Sequence, residues 1–272
     1  MNDAPDFKAA TDVQQTMWSK GDFAEVAPLV VPVSEKLADS LRLLPDERVL
    51  DVACGSGNGA LAAARRTWGN VTGADFVPAL LERGRERAAA ERLRVEFIEA
   101  DAQNLPFDDA SFDVTMSIFG VMFAPDHQKG ADELLRVTKP GGRIGVASWC
   151  PDGGLQDFFA TIVKHTGGPP PGAVPPVLWG DEAHVRELFG DSASDLRAER
   201  LKSRQAFRSA EHYIDFFRDY FGPIQAAFEA VGAEGEQALR SDLEAVLDQL
   251  SVGDQDALVV EPEYLQVIAT RA

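Results

Sequence analysis

Between residues 48 and 149, short apolar runs alternate with segments in which apolar positions recur every three to four residues. The apolar runs predict strands at 49–53, 70–74, 94–99, 112–118 and 143–148. The spaced segments predict helices at 59–66 and 78–90, and a third from a cap at Asp126 to a stop at 139–142. Repeated strand–helix units are typical of a parallel sheet with helices on both faces, so this region predicts an α/β fold.

The segments on either side of this region show other patterns. Helical spacing from about Val13, and again over 34–44, predicts a separate helical cap before the first strand. Residues 166–180 hold five prolines and four glycines, which predicts a loop that could act as a lid. A short helix capped by Asp181 follows, and two further strands are predicted, one at 196–208 on a sheet edge and one at 264–270.

A helix that starts at Ser209 carries an aromatic stripe. Its aromatic residues recur at helical spacing and therefore share one face: Tyr213, Phe216, Phe217, Tyr220 and Phe221. Such a face either packs the helix onto the sheet or lines an apolar pocket, and the sequence leaves both interpretations open.

Charge and composition limit the environment and the partners. The formal net charge is −18, which disfavours a nucleic-acid partner. The densest basic cluster, residues 83–94, is interleaved with glutamates, so we expect a solvated helix face with ion pairs. No apolar run approaches the roughly 18 residues of a membrane span, and we expect no membrane insertion. Cys54 and Cys150 suggest no disulfide framework, so we expect a cytoplasmic protein. We also expect a monomer or a homodimer.

The segment 49–59 carries the strongest chemical signal. A strand leads into glycines and then a helix, so bare backbone can approach a ligand there. Gly55, Gly57 and Ala60 also satisfy a loose dinucleotide pattern, which keeps a nicotinamide-dependent oxidoreductase open. Asp51 disfavours that alternative, because its carboxylate would repel a diphosphate. It would attract a ligand with an amino group and a sulfonium, such as S-adenosylmethionine.

Two more carboxylates follow the next two strands. Asp51, Asp75 and Asp101 each stand at the end of a successive predicted parallel strand, the edge at which open α/β sheets bind ligands. An acidic residue at the position of Asp75 usually holds the hydroxyls of a ribose. The three carboxylates and the glycines together predict a site for a nucleoside-containing ligand.

On these motifs, residues 48–149 resemble the class I S-adenosylmethionine-dependent methyltransferases. The segment 49–57 resembles the family's first motif, with Ala53 where glycine is more usual, a change that we expect to be tolerated. The motifs at 105–107, 111–113, 134–137 and 139–142 resemble the subgroup of ubiquinone and menaquinone biosynthesis methyltransferases. The resemblance implies that the cofactor, S-adenosylmethionine, contacts Asp51, Ala53, Gly55, Ser56, Gly57, Asp75, Phe76, Asp101, Ala102, Ser117 and Trp18.

The resemblance also implies the architecture. It predicts a Rossmann-like, seven-stranded, mostly parallel sheet whose last two strands are 196–208 and 264–270. We therefore divide the chain into an N-terminal helical cap, 1–47, a cofactor-binding core, 48–150, and a lid and acceptor-pocket region, 151–272. The cap, with Trp18, is expected to close over the cofactor.

Methyl transfer to a small, apolar or aromatic metabolite is the function that this resemblance implies, on oxygen, nitrogen or carbon. Because the cofactor carries the reactive methyl group, the protein needs to supply mainly alignment and exclusion of water. We name His127 as a candidate base and expect no metal site. Candidate acceptor contacts are Phe119, Phe123, Trp149, Tyr213 and Phe217.

Two further alternatives stay open at this point. A non-catalytic S-adenosylmethionine-binding protein would keep the cofactor fold but lack a pocket that reaches the methyl group. An RNA or DNA methyltransferase would bind nucleic acid with a steep salt dependence.

Overall fold

The computed structural model describes residues 7–68, 70–167, 174–253 and 257–272. Its largest element is a seven-stranded sheet in the order β3-β2-β1-β4-β5-β9-β6, and β7 pairs with β8 in a small second sheet. The strands are β1 Arg48–Val52, β2 Asn70–Asp75, β3 Val95–Glu99, β4 Phe112–Ile118, β5 Thr138–Trp149, β6 Ala193–Lys202, β7 Gln205–Phe207, β8 Leu258–Val260 and β9 Glu263–Arg271. Strands β1 to β5 are parallel, and β9 runs antiparallel to both β5 and β6.

The helices begin at residues that stabilise helix starts. Pro78 lies in the first turn of α5, and the side chains of Asp126, Asp181 and Ser209 accept backbone N–H groups at the starts of α6, α8 and α9. The helices are α1 Phe7–Trp18, α2 Phe23–Val26, α3 Val31–Ser40, α4 Asn58–Ala64, α5 Pro78–Glu91, α6 His127–Val137, α7 Gln156–Thr166, α8 Glu182–Phe189, α9 Ala210–Tyr220 and α10 Gly222–Leu250. Helix α10 is kinked at Gly232.

The predicted α/β fold with a seven-stranded, mostly parallel sheet is confirmed, and so are helices in the N-terminal region. The single edge strand predicted at 196–208 is wrong: β6 pairs with β9, whereas β7 leaves the sheet edge and pairs with β8. The stop predicted at 139–142 does end α6, but those residues already belong to β5. Part of the predicted loop 166–180, residues 168–173, lies outside the described residues.

Two hydrophobic clusters support the fold. The larger one covers the main sheet on both faces. The second joins α7, α9 and α10 to the small β7–β8 sheet, and it contains Phe158, Phe207, Tyr213 and Phe217. No helix in the described part of the chain combines the length and the apolar character needed to cross a membrane.

Candidate active site

The loop between β1 and α4, residues 53–57, has an unusual backbone. Ala53, Gly55 and Gly57 have φ angles of 52°, 53° and 84°, in the left-handed region that only glycine adopts without cost. Ala53 is therefore not a simple methyl addition to the motif, since it holds a conformation that disfavours a side chain. A Cβ at Gly120 would lie 2.3 Å from the Ala53 carbonyl oxygen, so glycine is required where this neighbouring loop passes.

The three predicted carboxylates do converge. Asp51, Asp75 and Asp101 line one cavity of about 900 Å³ at the carboxyl ends of β1, β2 and β3, called the first cavity below. Other predicted cofactor contacts line it too: Trp18, Ala53, Gly55, Ser56, Phe76 and Ala102. A cavity with a few polar groups among apolar ones is typical of a small-molecule site.

Asp51 is the most perturbed of the three carboxylates. It is 1% exposed, and its Oδ2 accepts a hydrogen bond of 2.7 Å from the Ala60 N–H. Its other oxygen, Oδ1, is buried and has no hydrogen-bond partner among the described residues. Burial, with a contribution from the nearby Asp75 charge, raises the pKa of Asp51 to about 7. The site thus holds a carboxylate oxygen that lacks a donor.

Asp75, at the end of β2, is hydrogen-bonded to the loop at 53–57, called the glycine loop below. Its Oδ2 accepts from the Gly55 N–H at 2.8 Å and its Oδ1 from the Val77 N–H at 2.9 Å. Burial raises its pKa to about 6, and these backbone donors oppose the rise. The two carboxylate oxygens have four lone pairs in all, so those that the backbone donors leave free can accept from a ligand hydroxyl.

Gln103 is a residue of this region that sequence reasoning missed. Its side-chain Nε2 lies 3.1 Å from Asp101 Oδ1 and donates to Thr11 Oγ1 at 2.9 Å, and its Oε1 accepts from the Asp126 N–H at 2.9 Å. It therefore connects Asp101 to α1 and to the start of α6. Gln15 of α1 also donates to the Phe76 carbonyl oxygen at 2.6 Å. These bonds hold α1 beside the first cavity. The sequence signal for this contact was the presence of a glutamine two residues after Asp101.

A second cavity, of about 640 Å³, adjoins the first. Five residues line both cavities and form what is called the shared wall below: Trp18, Phe23, Val30, Phe119 and Phe123. Beyond the shared wall, the second cavity is lined by further predicted acceptor contacts, Trp149, Tyr213 and Phe217. The aromatic face of α9 therefore both packs the second cluster and lines a cavity.

The rings of the shared wall contact one another and two further rings, those of Trp149 and Phe221. Phe119 stacks on Trp149 with centroids 3.8 Å apart and planes 10° apart. Trp18 makes edge contacts with Phe23, Phe123 and Phe221 at 4.8 to 5.4 Å. No residue known to line the second cavity, within the described ranges, is charged. The arrangement suits an apolar or aromatic molecule held next to whatever occupies the first cavity.

Three predicted site residues lie elsewhere. Ser117 lines neither cavity, because its hydroxyl donates to the Val52 carbonyl and accepts from the Val121 N–H inside the sheet. Gly57 faces Phe97, whose ring would lie 2.9 Å from an added Cβ, so its φ of 84° and this packing, and not the approach of a ligand, require glycine there.

The third is His127, which lines neither cavity, although Pro125, two residues earlier, lines the first. It is 4% exposed, and its Nδ1 lies 3.1 Å from His184 Nε2, with Trp179 alongside. Burial, with the nearby His184, lowers the pKa of His127 to about 4. The Asp126 cap places this histidine on the face of α6 that packs against α8, so the candidate base does not reach the site.

Two other expectations concern charged groups. The ion pairs predicted on α5 are confirmed, since Arg83 pairs with Glu86 and Arg85 with Glu82. In the described ranges, no group of three or more His, Cys, Asp or Glu side chains is arranged to hold a metal ion.

Comparisons with known proteins agree with this geometry. A family model of the methyltransferase domain matches residues 49–142. An uncharacterized protein of Mycobacterium tuberculosis, Rv1405c, is 40% identical over 259 residues, 94% of this chain and 93% of that protein. Demethylmenaquinone methyltransferase of Clavibacter sepedonicus is 48% identical over 103 residues, 38% of this chain and 41% of that enzyme.

Among solved structures, geranyl diphosphate C-methyltransferase from Streptomyces coelicolor A3(2) has a similar fold. Its TM-score is 0.51 and its identity 19%, over 89% of this chain and 76% of that one. The methyltransferase domain lies across the glycine loop and the strand ends that form the first cavity. The chain therefore belongs to the class I S-adenosylmethionine-dependent methyltransferases, is an enzyme with S-adenosylmethionine as its cofactor, and resembles the menaquinone-type members as its motifs predicted.

Proposed function

We propose that the protein transfers a methyl group, by in-line displacement, from S-adenosylmethionine bound in the first cavity to a small apolar or aromatic molecule bound in the second. The observation that carries this proposal is the shared wall, because five residues border both cavities. A ligand in one cavity is thus a direct neighbour of a ligand in the other.

The polar atoms of the first cavity fit the cofactor. Asp51 Oδ1 and Asn58 Oδ1 are both buried hydrogen-bond acceptors without partners among the described residues, and both residues line this cavity. Two acceptors without donors suit a ligand that brings an ammonium group. A diphosphate offers only further acceptors, which supports S-adenosylmethionine over a dinucleotide.

The nucleoside part of the cofactor fits the remaining carboxylates. In this proposal Asp75 accepts hydrogen bonds from the ribose hydroxyls, using the lone pairs that Gly55 and Val77 leave free. Asp101 and Ala102 border the adenine, with Phe76 beside it. Helix α1, held by Gln103 and Gln15, covers the ligand from the N-terminal side.

The bound cofactor supplies an electrophilic methyl group with neutral S-adenosylhomocysteine as its leaving group. The chain's own residues then have to align the acceptor and keep water away. Trp18, Phe119 and Phe123 are suited to both tasks, since their rings stand at the junction of the two cavities. Since His127 lines neither cavity, we assign no residue the role of general base.

The acceptor class follows from the lining of the second cavity. Its walls are aromatic and aliphatic, and its polar side chains, Gln205 and Tyr213, are uncharged. The partial resemblance to demethylmenaquinone methyltransferase supports an aromatic acceptor such as a quinol. The chain's net charge of −18 supports a small molecule over a nucleic acid.

The test is methyl transfer from labelled S-adenosylmethionine to a panel of quinols and phenols. Leu155→Trp adds bulk to a residue that lines the second cavity, and Ile162→Trp adds the same bulk nearby in the chain, at a partly buried residue that lines neither cavity. We expect Leu155→Trp to lose at least 90% of the transfer while it keeps its affinity for S-adenosylhomocysteine. Equal loss in both variants, or methylation of RNA in place of the panel, would contradict the proposal.

A further inference from the structure

Gln205 occupies a position where the sequence pattern would place an apolar residue. In β7 the burial alternates, with Gln205 and Phe207 buried and Ala206 exposed. Phe207 belongs to the second hydrophobic cluster, and Gln205, on the same face, lines the second cavity and is 5% exposed. A primary amide is thus buried against an otherwise apolar cavity.

The acceptor end of the Gln205 amide lacks a hydrogen-bond partner among the described residues. Its Oε1 is buried, and no donor from these residues reaches it. Gln103, by contrast, uses both ends of its amide, and Gln266 donates to Ser40 Oγ at 3.1 Å. Buried amides are nearly always hydrogen-bonded because an unpaired one is costly, and Gln205, unlike Gln266, lies where a ligand in the second cavity can supply the partner.

Tyr213 presents a second uncharged polar group to the same cavity. Its side chain is 3% exposed, and the described residues offer its hydroxyl no hydrogen bond. The rings of Tyr213 and Phe207 lie 4.8 Å apart, which anchors α9 against the strand that carries Gln205. Burial raises the pKa of Tyr213, so its hydroxyl stays protonated and can both donate and accept.

We propose that Gln205, together with Tyr213, binds a hydroxyl or carbonyl group of the methyl acceptor. The second cavity then selects an uncharged aromatic molecule that carries such a group over a hydrocarbon of the same shape. This inference rests on the proposed function, and it adds a specificity-determining residue that neither the motifs nor the comparisons indicate.

Binding of a matched pair of probes, measured in the presence of S-adenosylhomocysteine, tests the inference. The probes are 2-naphthol and 2-methylnaphthalene, which share a ring system and differ in the hydroxyl. We expect the wild-type protein to bind 2-naphthol at least fivefold more tightly than 2-methylnaphthalene. The hydrocarbon would leave the Gln205 amide without a hydrogen-bond partner, and this cost is the basis of the discrimination. Gln205→Leu should reduce this ratio to about one, and Tyr213→Phe, which keeps the ring, should reduce it in part.

Gln266→Leu is the matched control. Gln266 is also a buried glutamine with an unpartnered Oε1, but it lies on β9 and lines neither cavity. We expect this variant to keep the wild-type ratio. A ratio that stays above five in Gln205→Leu, or that falls equally in Gln266→Leu, overturns the role of Gln205.

The same assay separates this inference from the proposed function. If both probes bind the wild type equally and Leu155→Trp abolishes both, the second cavity accepts aromatic molecules and only the role of Gln205 fails. If neither probe binds, or if Leu155→Trp leaves binding unchanged, the assignment of the second cavity fails and the inference fails with it.

Discussion

Replacing Asp51 by asparagine removes a buried charge while it keeps the shape of the side chain. In the ligand-free protein this charge destabilises the fold, because Asp51 is 1% exposed and the described residues offer one of its oxygens no donor. In our proposal the same charge binds the ammonium group of the cofactor. We therefore expect Asp51→Asn to stabilise the ligand-free protein and to weaken cofactor binding.

The magnitude of the stability effect follows from the pKa of Asp51. Folding raises it from 3.8 to about 7, and 1.36 kcal/mol for each pKa unit gives a cost of about 4 kcal/mol for keeping the group ionised. Protonated Asp51 contributes its full share to the stability of the folded wild-type protein below pH 3.8. This contribution is lost as the pH rises to about 7 and stays absent above that value. Asparagine does not titrate, so the stability difference between variant and wild type should grow by about 4 kcal/mol from pH 3.5 to pH 8.

Cofactor affinity should show the opposite trend. Loss of a charge-assisted hydrogen bond costs about 1.5 to 3 kcal/mol, or about 10- to 100-fold in the Kd for S-adenosylhomocysteine at pH 8. In the wild type the Kd should rise as pH falls below 7, because the ammonium group must then displace a proton from Asp51. In Asp51→Asn the Kd should depend less steeply on pH between 5.5 and 7, because only Asp75, whose pKa is raised to about 6, still titrates there beside the ligand.

Urea unfolding at several pH values and calorimetric titration with S-adenosylhomocysteine measure the two effects. Asp113→Asn is the control, since Asp113 is a carboxylate paired with Lys139 at the opposite end of the sheet, and this partner lowers its pKa. That variant should lose stability at pH 8 and keep its cofactor affinity. Parallel pH profiles of Kd in Asp51→Asn and wild type would refute the reasoning.

Three further variants test the glycine loop and His127. Gly55→Ala should lose about 1 to 2 kcal/mol because of its φ of 53° but should still fold, because the nearest atom to the new Cβ is 3.7 Å away. Calorimetry should show at least tenfold weaker binding of S-adenosylhomocysteine, and wild-type affinity would remove Gly55 from the ligand contacts. Gly57→Ala should lose about 1 to 2 kcal/mol in urea unfolding, because of its φ of 84° and the Phe97 ring, yet bind normally; a selective binding defect would contradict this. His127→Gln should keep methyl transfer. It should also lose less stability than the wild type as pH falls from 6.5 to about 4, the range in which folded His127 resists protonation. Loss of turnover in this variant would support His127 as the general base.

The sequence was most informative where a local pattern has one structural outcome. Alternation and apolar runs located the strands of the core to within about two residues, apart from the start of β5, because a one-residue shift would expose their buried faces. The carboxylates Asp51, Asp75 and Asp101 were found for a related reason. Parallel strands end at a common edge, so residues at successive strand ends must meet.

The misses arose where tertiary contacts decide. The sequence pattern around Gln205 does not distinguish β7 from β6 before it. Pairing with β8 is what takes β7 away from the main sheet. His127 follows β4 at the correct edge, but its direction depends on the Asp126 cap and on packing against α8. Gln103 acts through side chains distant in the sequence, which no periodic pattern records.

Two residues of the first cavity have a strained backbone, and one of them, Phe119, stands in the shared wall at the junction with the second cavity. Ala53 and Phe119 both line the first cavity and both have φ near 50°, although a side chain in that region costs about 1 to 2 kcal/mol. Each is held by close neighbours, Ala53 by Gly120 and Phe119 by the stacked ring of Trp149. Such strain persists when the surrounding structure fixes it, and it commonly marks sites that need exact positioning of groups. In an enzyme whose cofactor carries the chemistry, positioning is what the chain has to provide, and this junction is where the methyl group would pass.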